Sequence, residues 1–194
     1  PTLRWTQTDA DPGTVFKKFQ LQITNEPNTA YILDTGELAQ NTSSTTASRT
    51  PTTNLPTAQK LRVRVRVNDG LDWSNWSAQT WMMINNTPSA ALTFPTGTRE
   101  NPTILPTKRP TIQWTQTDPD WDAVFRMYEV QILNETGGVV ATSGQTAQNT
   151  SSTTGHWTVP ADLPDGTYQV RVRVSDGAAW SPWSPVRWMS TNRP

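Results

Sequence analysis

The chain contains no cysteine, which excludes disulfide bonds and thiol catalysis. Its single histidine, His156, has no cysteine nearby and no obvious partner of the kind that histidine-based catalysis requires. No apolar run is long enough to span a bilayer. Lysine plus arginine and aspartate plus glutamate both number 16, so no basic field is available for phosphate backbones. The sequence therefore argues against an enzyme, a membrane-inserted protein and a nucleic-acid-binding protein, and it predicts no cofactor.

Tryptophan, proline, threonine and serine are abundant by contrast. The 194 residues include ten tryptophans and 16 prolines, beside only three tyrosines and four phenylalanines. Apolar residues recur with a period of two, and turn-forming residues separate the runs, which is typical of short β-strands. The length suits two domains of ordinary size, so the sequence predicts an all-β protein with two domains.

The two halves of the sequence repeat each other. Trp-Thr-Gln-Thr-Asp begins at Trp5 and again at Trp114, and Ala-Gln-Asn-Thr-Ser-Ser-Thr-Thr also occurs once in each half. Solenoid repeats have periods of roughly 20–50 residues, so a repeat of this greater length indicates whole domains in tandem. The predicted domains are residues 1–87 and 88–194.

Each half also contains a strand in which arginine alternates with valine. The first such segment, LRVRVRVNDGLDWSNWS, begins at Leu61, and the second, YQVRVRVSDGAAWSPWS, begins at Tyr168. Alternation gives the strand one apolar face and one arginine face, and the Asp-Gly turn brings the tryptophans back towards that strand. Guanidinium planes stack favourably on indoles. The pattern predicts two ladders, formed by Arg64, Arg66, Trp73 and Trp76 and by Arg171, Arg173, Trp180 and Trp183; the alternative is an ordinary solvated strand face.

Two further tryptophans are predicted to belong to the core. Trp5 follows Leu3, and Trp114 follows Ile112, with one residue between the members of each pair. This spacing places two large apolar side chains on one face of a short strand. The sequence therefore predicts a buried first strand in each domain.

These motifs together resemble fibronectin type III domains. The likeness consists of the first-strand tryptophan, the Leu-Pro-x-Gly-x-Tyr segment that ends at Tyr168, and the Asp-Gly turn before Trp-Ser-x-Trp-Ser. Such domains occur in bacterial surface proteins and phage tail proteins, and the tryptophan motif is also similar to that of cytokine-receptor domains. The resemblance implies tandem seven-stranded Greek-key, immunoglobulin-like β-sandwiches without catalytic residues. It also implies that Tyr168 forms a tyrosine corner, a bond that Leu61 in the first copy cannot make.

The first copy departs from this pattern at its start. Residues 88–109, including the apolar run 91–94, precede the second copy, whereas Pro1 aligns with Pro110. We therefore expect strand A to be missing from the first domain, as in a segment of a longer array.

One acidic stretch could bind a metal ion. Asp118, Asp120 and Asp122 are spaced like oxygen ligands for Ca²⁺, which prefers six to eight oxygens from a compact loop. The first copy retains only Asp9 and Asp11 of this set, and Asp-Pro is also common in turns. A simple turn therefore remains the alternative.

Two functions are compatible with the sequence. The first is a structural spacer or stalk in a multidomain extracellular protein of a bacterial surface or phage tail, with a role in adhesion. The second is a carbohydrate-binding module, in which Trp121 and Trp157 stack on sugar rings. These are the tryptophans without counterparts, since Pro12 and Arg49 replace them in the first copy. The expected partners are neighbouring domains of the parent chain and a cell-surface protein or polysaccharide.

Overall fold

The computed structural model describes residues 1–192 and confirms an all-β protein. The chain divides into two compact units, a first unit of Pro1–Ile84 and a second unit that begins at Asn85, slightly before the predicted boundary. Within the described residues, no helix has the length and apolar character needed to cross a membrane. The strands of the first unit are β1 (Leu3–Thr6), β2 (Phe16–Asn25), β3 (Tyr31–Asp34), β4 (Leu38–Thr42), β5 (Thr46–Arg49), β6 (Leu61–Asn68) and β7 (Thr80–Met82).

The second unit repeats these seven strands and begins with two more. Its strands are β8 (Ser89–Phe94), β9 (Thr103–Ile104), β10 (Thr111–Thr117), β11 (Phe125–Leu133), β12 (Val139–Thr142), β13 (Thr146–Thr150), β14 (Thr154–Thr158), β15 (Thr167–Ser175) and β16 (Arg187–Ser190). One sheet has the order β14-β10-β8, and the other has the order β12-β11-β15-β16-β9, with β13 also paired to β11.

The core of the second unit lies between these two sheets. One sheet contributes Leu92, Ile112 and Trp114, and the other contributes the alternating apolar positions of β11 and β15, among them Val130 and Val172. All of these side chains are buried, because period-two alternation directs one face of each strand inwards. The predicted tandem β-sandwich is thus confirmed.

The expectation of seven strands is wrong for the second unit, which has nine: its first segment divides between the two sheets, and two short strands, β12 and β13, both pair with β11. β8 pairs antiparallel with β10, whereas β9 pairs in parallel with β16. Gly97 lies between them, and a Cβ atom there would come within 2.3 Å of the Thr103 nitrogen. The chain therefore crosses from one sheet to the other where only glycine fits.

The first unit has no counterpart of β8 or β9 among the described residues. β1 pairs only with β5, and the remaining strands form the order β3-β2-β6-β7, with β4 also paired to β2. Because no described strand corresponds to β8 there, the valines of the arginine-containing strand are less buried in the first unit than in the second. The valines of β15 are fully buried, whereas Val63, Val65 and Val67 of β6 retain partial exposure.

Candidate functional site

The ladder of the second unit is built on β15. The guanidinium carbon of Arg173 lies 4.7 Å from the ring centroid of Trp180 and 4.6 Å from that of Trp183. Arg171 lies 4.4 Å from the Trp183 ring, so arginine and tryptophan alternate along the face. Arg173 also donates through Nε and Nη2 to one carboxylate oxygen of Glu129 on the neighbouring strand, at 2.9 and 2.5 Å. Stacking and hydrogen bonding together hold each guanidinium plane in place.

The first unit forms the same ladder with a neutral partner. Arg64 lies 4.4 Å from the Trp76 ring, and Arg66 lies 4.5 Å from Trp73 and 4.8 Å from Trp76. The acceptor for Arg66 is Gln20, which occupies the place of Glu129. Among the ladder arginines, the ladder tryptophans and the direct acceptors of the arginines, the charge therefore differs between the two copies only at Gln20 and Glu129.

A carboxylate supports the first ladder from one strand further away. Gln20 and Gln22 receive hydrogen bonds from Arg66 and Arg64, and both glutamine amides then donate to Asp34 on β3, at 2.8 and 2.6 Å. Burial raises the pKa of Asp34, but the hydrogen bonds from Gln20, Gly36 and Gln22 outweigh it and lower the pKa below the ordinary value. The first ladder is therefore anchored to a charged group after all.

The serines of both Trp-Ser-x-Trp-Ser segments connect the tryptophans to the arginine strands. The backbone N–H of Ser181 donates to the Val174 carbonyl, and its hydroxyl oxygen accepts a bond from the Val174 N–H. Ser184 bonds in the same way to Val172, and Ser74 and Ser77 do so in the first unit. These bonds between the serines and the valines of the arginine strand were not predicted. The sequence signal for them was the serine that recurs at every third residue. The motif replaces a regular strand and fixes each indole over the neighbouring guanidinium groups.

The predicted core tryptophans differ in burial. Trp114 is fully buried and lies 5.1 Å from the Tyr128 ring, whereas Trp5 is only partly buried against Phe19 at the same distance. Each indole N–H donates to the glutamine two residues later, so both retain a hydrogen bond in the core. The missing β8 counterpart explains why Trp5 keeps exposed surface.

Tyr168 anchors the start of β15. Its hydroxyl donates to the Pro164 carbonyl at 2.6 Å, and its ring is buried. Burial raises the pKa of the phenol above its ordinary value, which favours the neutral form that donates this bond. Leu61 is fully buried at the matching position of the first unit but has no hydroxyl to offer.

The structure does not assemble Trp121 and Trp157 into one platform. Trp157 lies on β14 opposite Ile112, near the beginning of β10, and packs against the core. Trp121 lies in the loop that follows the other end of β10, and 57% of it is exposed. Ile112 and Thr117 are separated by about 17 Å at the usual rise of a strand. The two tryptophans therefore belong to opposite ends of that strand.

The acidic residues form a group that differs from the predicted one. Asp118 and Asp120 lie together with Asp176, which follows β15, and Asp122 is not part of the group. The sequence pattern missed Asp176 because it is distant along the chain. His156, on β14, is exposed and lies opposite Gln113.

The first unit has an open groove on the side where β8 lies in the second. The groove has a volume of about 1120 Å³ and is lined by β1, β5, β6 and β7, including Trp5 and Val65. In the second unit, β8 pairs with β10 and contacts β15 at the equivalent place. Among the described residues, the first unit has no strand in the place that β8 occupies in the second.

Comparison with known proteins identifies one family. A family model described as "Rha78A-like, N-terminal immunoglobulin domain" matches residues 1–85 and residues 92–192. The search of curated proteins returned no match to the chain. The two matched segments correspond closely to the two compact units.

Proposed function

Because the chain belongs to the family of Rha78A-like N-terminal immunoglobulin domains, we propose that it is a non-catalytic structural spacer within a larger multidomain protein. The family description assigns the domain to the N-terminal part of such proteins. A tandem pair of immunoglobulin-like sandwiches with equal numbers of positive and negative side chains suits this role.

The observation that supports this proposal most is that the tryptophan and arginine side chains contact each other within their own unit. Tryptophan and arginine are the residues that most often dominate binding interfaces. Here four tryptophans stack on arginines of their own unit, and three more, Trp5, Trp114 and Trp157, lie in or against the cores. Trp81 and Trp188 also face cations of their own units, namely Arg62 and Arg99. Side chains that elsewhere recognise a ligand here stiffen the domain that carries them.

We also propose the class of immunoglobulin-like domain to which the two units belong. The Trp-Ser-x-Trp-Ser segments, the arginine ladders and the Tyr168 hydrogen bond favour the fibronectin type III class of immunoglobulin-like domains. That class, in turn, favours an extracellular protein of a bacterial surface or a virion, in which the units separate neighbouring domains. A paired-tryptophan sugar site is not favoured, because Trp121 and Trp157 lie at opposite ends of β10.

An exchange experiment in the parent protein tests the spacer role. Replacing the segment by two unrelated β-sandwich domains of similar length should preserve the activity or attachment of the flanking domains, whereas deleting the segment should impair it. A spacer contributes length and stiffness rather than a specific surface. Preserved function in the replaced protein is therefore the result that identifies a spacer, because loss of function on deletion is also expected of a binding domain. Loss of function in the replaced protein would refute the proposal.

Binding assays on the chain itself provide the second part of the test. Residues 1–194 should show no saturable retention on polysaccharides, and Trp121→Ala should behave like the unaltered protein. Saturable retention that Trp121→Ala abolishes, with both units still folded, would instead establish a carbohydrate-binding module based on one tryptophan.

A further inference from the structure

Three carboxylates of the second unit converge although they come from two different sheets. Asp118 and Asp120 follow β10, Asp176 follows β15, and one oxygen from each lies within 4.8 Å of the others. Asp120 is buried, with 8% of its surface exposed, and the other two are partly buried. Negative charges at such separations repel each other, more strongly where water is excluded.

Five of the six carboxylate oxygens accept hydrogen bonds from neutral N–H groups. Asp120 accepts from the backbone and side chain of Asn86, at 3.0 and 2.6 Å, and Asp176 accepts from the Asn85 amide at 2.9 Å and from two backbone N–H groups of its own loop. One oxygen of Asp118 accepts from the Asp120 N–H. The sixth oxygen, Oδ2 of Asp118, is buried and has no hydrogen-bond partner.

A buried, unpartnered carboxylate oxygen is costly, and a neighbouring positive charge would compensate for it. Within residues 1–192, however, no lysine or arginine forms an ion pair with any of the three aspartates. A cation among the three carboxylates would supply the partner that Oδ2 of Asp118 lacks.

We propose that Asp118, Asp120 and Asp176 bind a divalent cation of the calcium type. All the available ligands are hard oxygens, and neither cysteine nor histidine lies in the group, which disfavours zinc. Calcium tolerates irregular sets of carboxylate, amide and water oxygens, whereas magnesium demands a near-ideal octahedron. The side-chain amides of Asn85 and Asn86 adjoin the carboxylates, and a 180° rotation of either amide would present its oxygen instead of its nitrogen.

The first unit provides an internal control for this site. Its matching residues are Asp9, Asp11 and Asp69, and within the described part of the chain they do not form a comparable group. Asp9 and Asp11 are exposed, and Asp69 caps its own turn by accepting from the N–H groups of Leu71 and Asp72. The same acidic turns thus occur twice, but they converge in one copy only.

A calcium titration of the whole chain tests the proposal. With Ca²⁺ added to protein previously treated with EDTA, the backbone NMR signals of Asn86, Asp120 and Asp176 should shift and saturate, whereas those of Asp11 and Asp69 should not. At ten times the dissociation constant, the ratio of folded to unfolded second unit should rise about tenfold. Absence of saturable shifts in the unaltered protein would overturn the proposal, whatever the variants do.

Three variants separate cation binding from a purely structural role. In EDTA, Asp118→Asn should be at least as stable as the unaltered protein, because it removes one of the repelling charges; in Ca²⁺ it should gain no stability. Asp69→Asn in the first unit should leave the calcium response unchanged. If Asp118→Asn fails to fold, the isothermal heat of Ca²⁺ binding is measured on Asp176→Asn, which should show none. A calcium response retained in Asp118→Asn or Asp176→Asn, or lost in Asp69→Asn, would contradict the assignment.

Discussion

Replacing Arg173 by lysine conserves its charge but removes the flat group that lies 4.7 Å from the Trp180 ring and 4.6 Å from the Trp183 ring. The change also removes at least one of the two hydrogen bonds that Arg173 donates to Glu129. An ammonium group can donate to the carboxylate, but it has no planar face to place between two indoles. We therefore expect the second unit to lose stability without any change in net charge.

The magnitude follows from these contacts. Each cation–π contact contributes about 0.5–1 kcal/mol at a partly exposed site, and lysine retains some of it. Losing one of two hydrogen bonds to a charged acceptor costs about 1 kcal/mol after the partial exposure of the pair is taken into account. The Arg173 side chain is 27% exposed and that of Glu129 is 11% exposed, so solvent screens the pair only in part. We expect a loss of about 1–2 kcal/mol, or a decrease of several degrees in Tm for a domain of this size.

The first unit supplies the matched control. Arg66 makes the same stacking contacts, but its acceptor is the neutral Gln20, so Arg66→Lys should cost about 1 kcal/mol or less. Glu129→Gln introduces the first copy's residue into the second ladder. It should change stability by less than about 1 kcal/mol, because a neutral hydrogen bond replaces a partly screened ion pair.

Urea unfolding monitored through the indole N–H signals of the tryptophans measures these losses, because the two units report separately. Arg173→Lys should lower the midpoint of the second unit and leave that of the first unchanged. An unchanged midpoint in Arg173→Lys would show that the arginines are merely solvated, and the stacking argument would then fail for both ladders.

Three further predictions concern the strand edge, the tyrosine corner and one glycine. In hydrogen exchange on dilute monomer, the amides of Thr2–Gln7 should exchange much faster than those of Thr111–Gln116, because β1 has one partner strand and β10 has two; equal protection would contradict the unpaired edge. Tyr168→Phe should destabilise the second unit by about 0.5–1.5 kcal/mol in thermal melts through loss of the bond to Pro164, and an unchanged Tm would show that this bond contributes nothing. Gly155→Ala should cost about 1–3 kcal/mol in urea unfolding, because its Cβ would lie 2.3 Å from the buried Trp114 ring; Ala47, opposite Trp5, is the control, and Ala47→Gly should cost less than about 1 kcal/mol. Wild-type stability in Gly155→Ala would mean that the Trp114 ring has room to move.

Features that depend on local periodicity could be predicted from the sequence. A period of two assigned Val172 and Arg173 to opposite faces of one strand, and the structure places them so. The repeat itself indicated two similar domains, because two copies of one pattern fold by the same local rules. The spacing of Leu3 and Trp5 likewise indicated a first strand, and β1 forms there, paired within the described residues with β5.

Features that depend on which loops meet in space could not be predicted in this way. Asp176 joins Asp118 and Asp120 only because β10 and β15, which lie in different sheets, end near the same point, whereas Asp122 is closer along the chain yet outside the group. Trp121 and Trp157 looked equivalent as unmatched residues, but the register of β14 on β10 separates them. Sequence alone determined the strands and their faces, because each residue's direction follows from its neighbours; only the tertiary structure decided which turns converge, since that depends on how the two sheets pack.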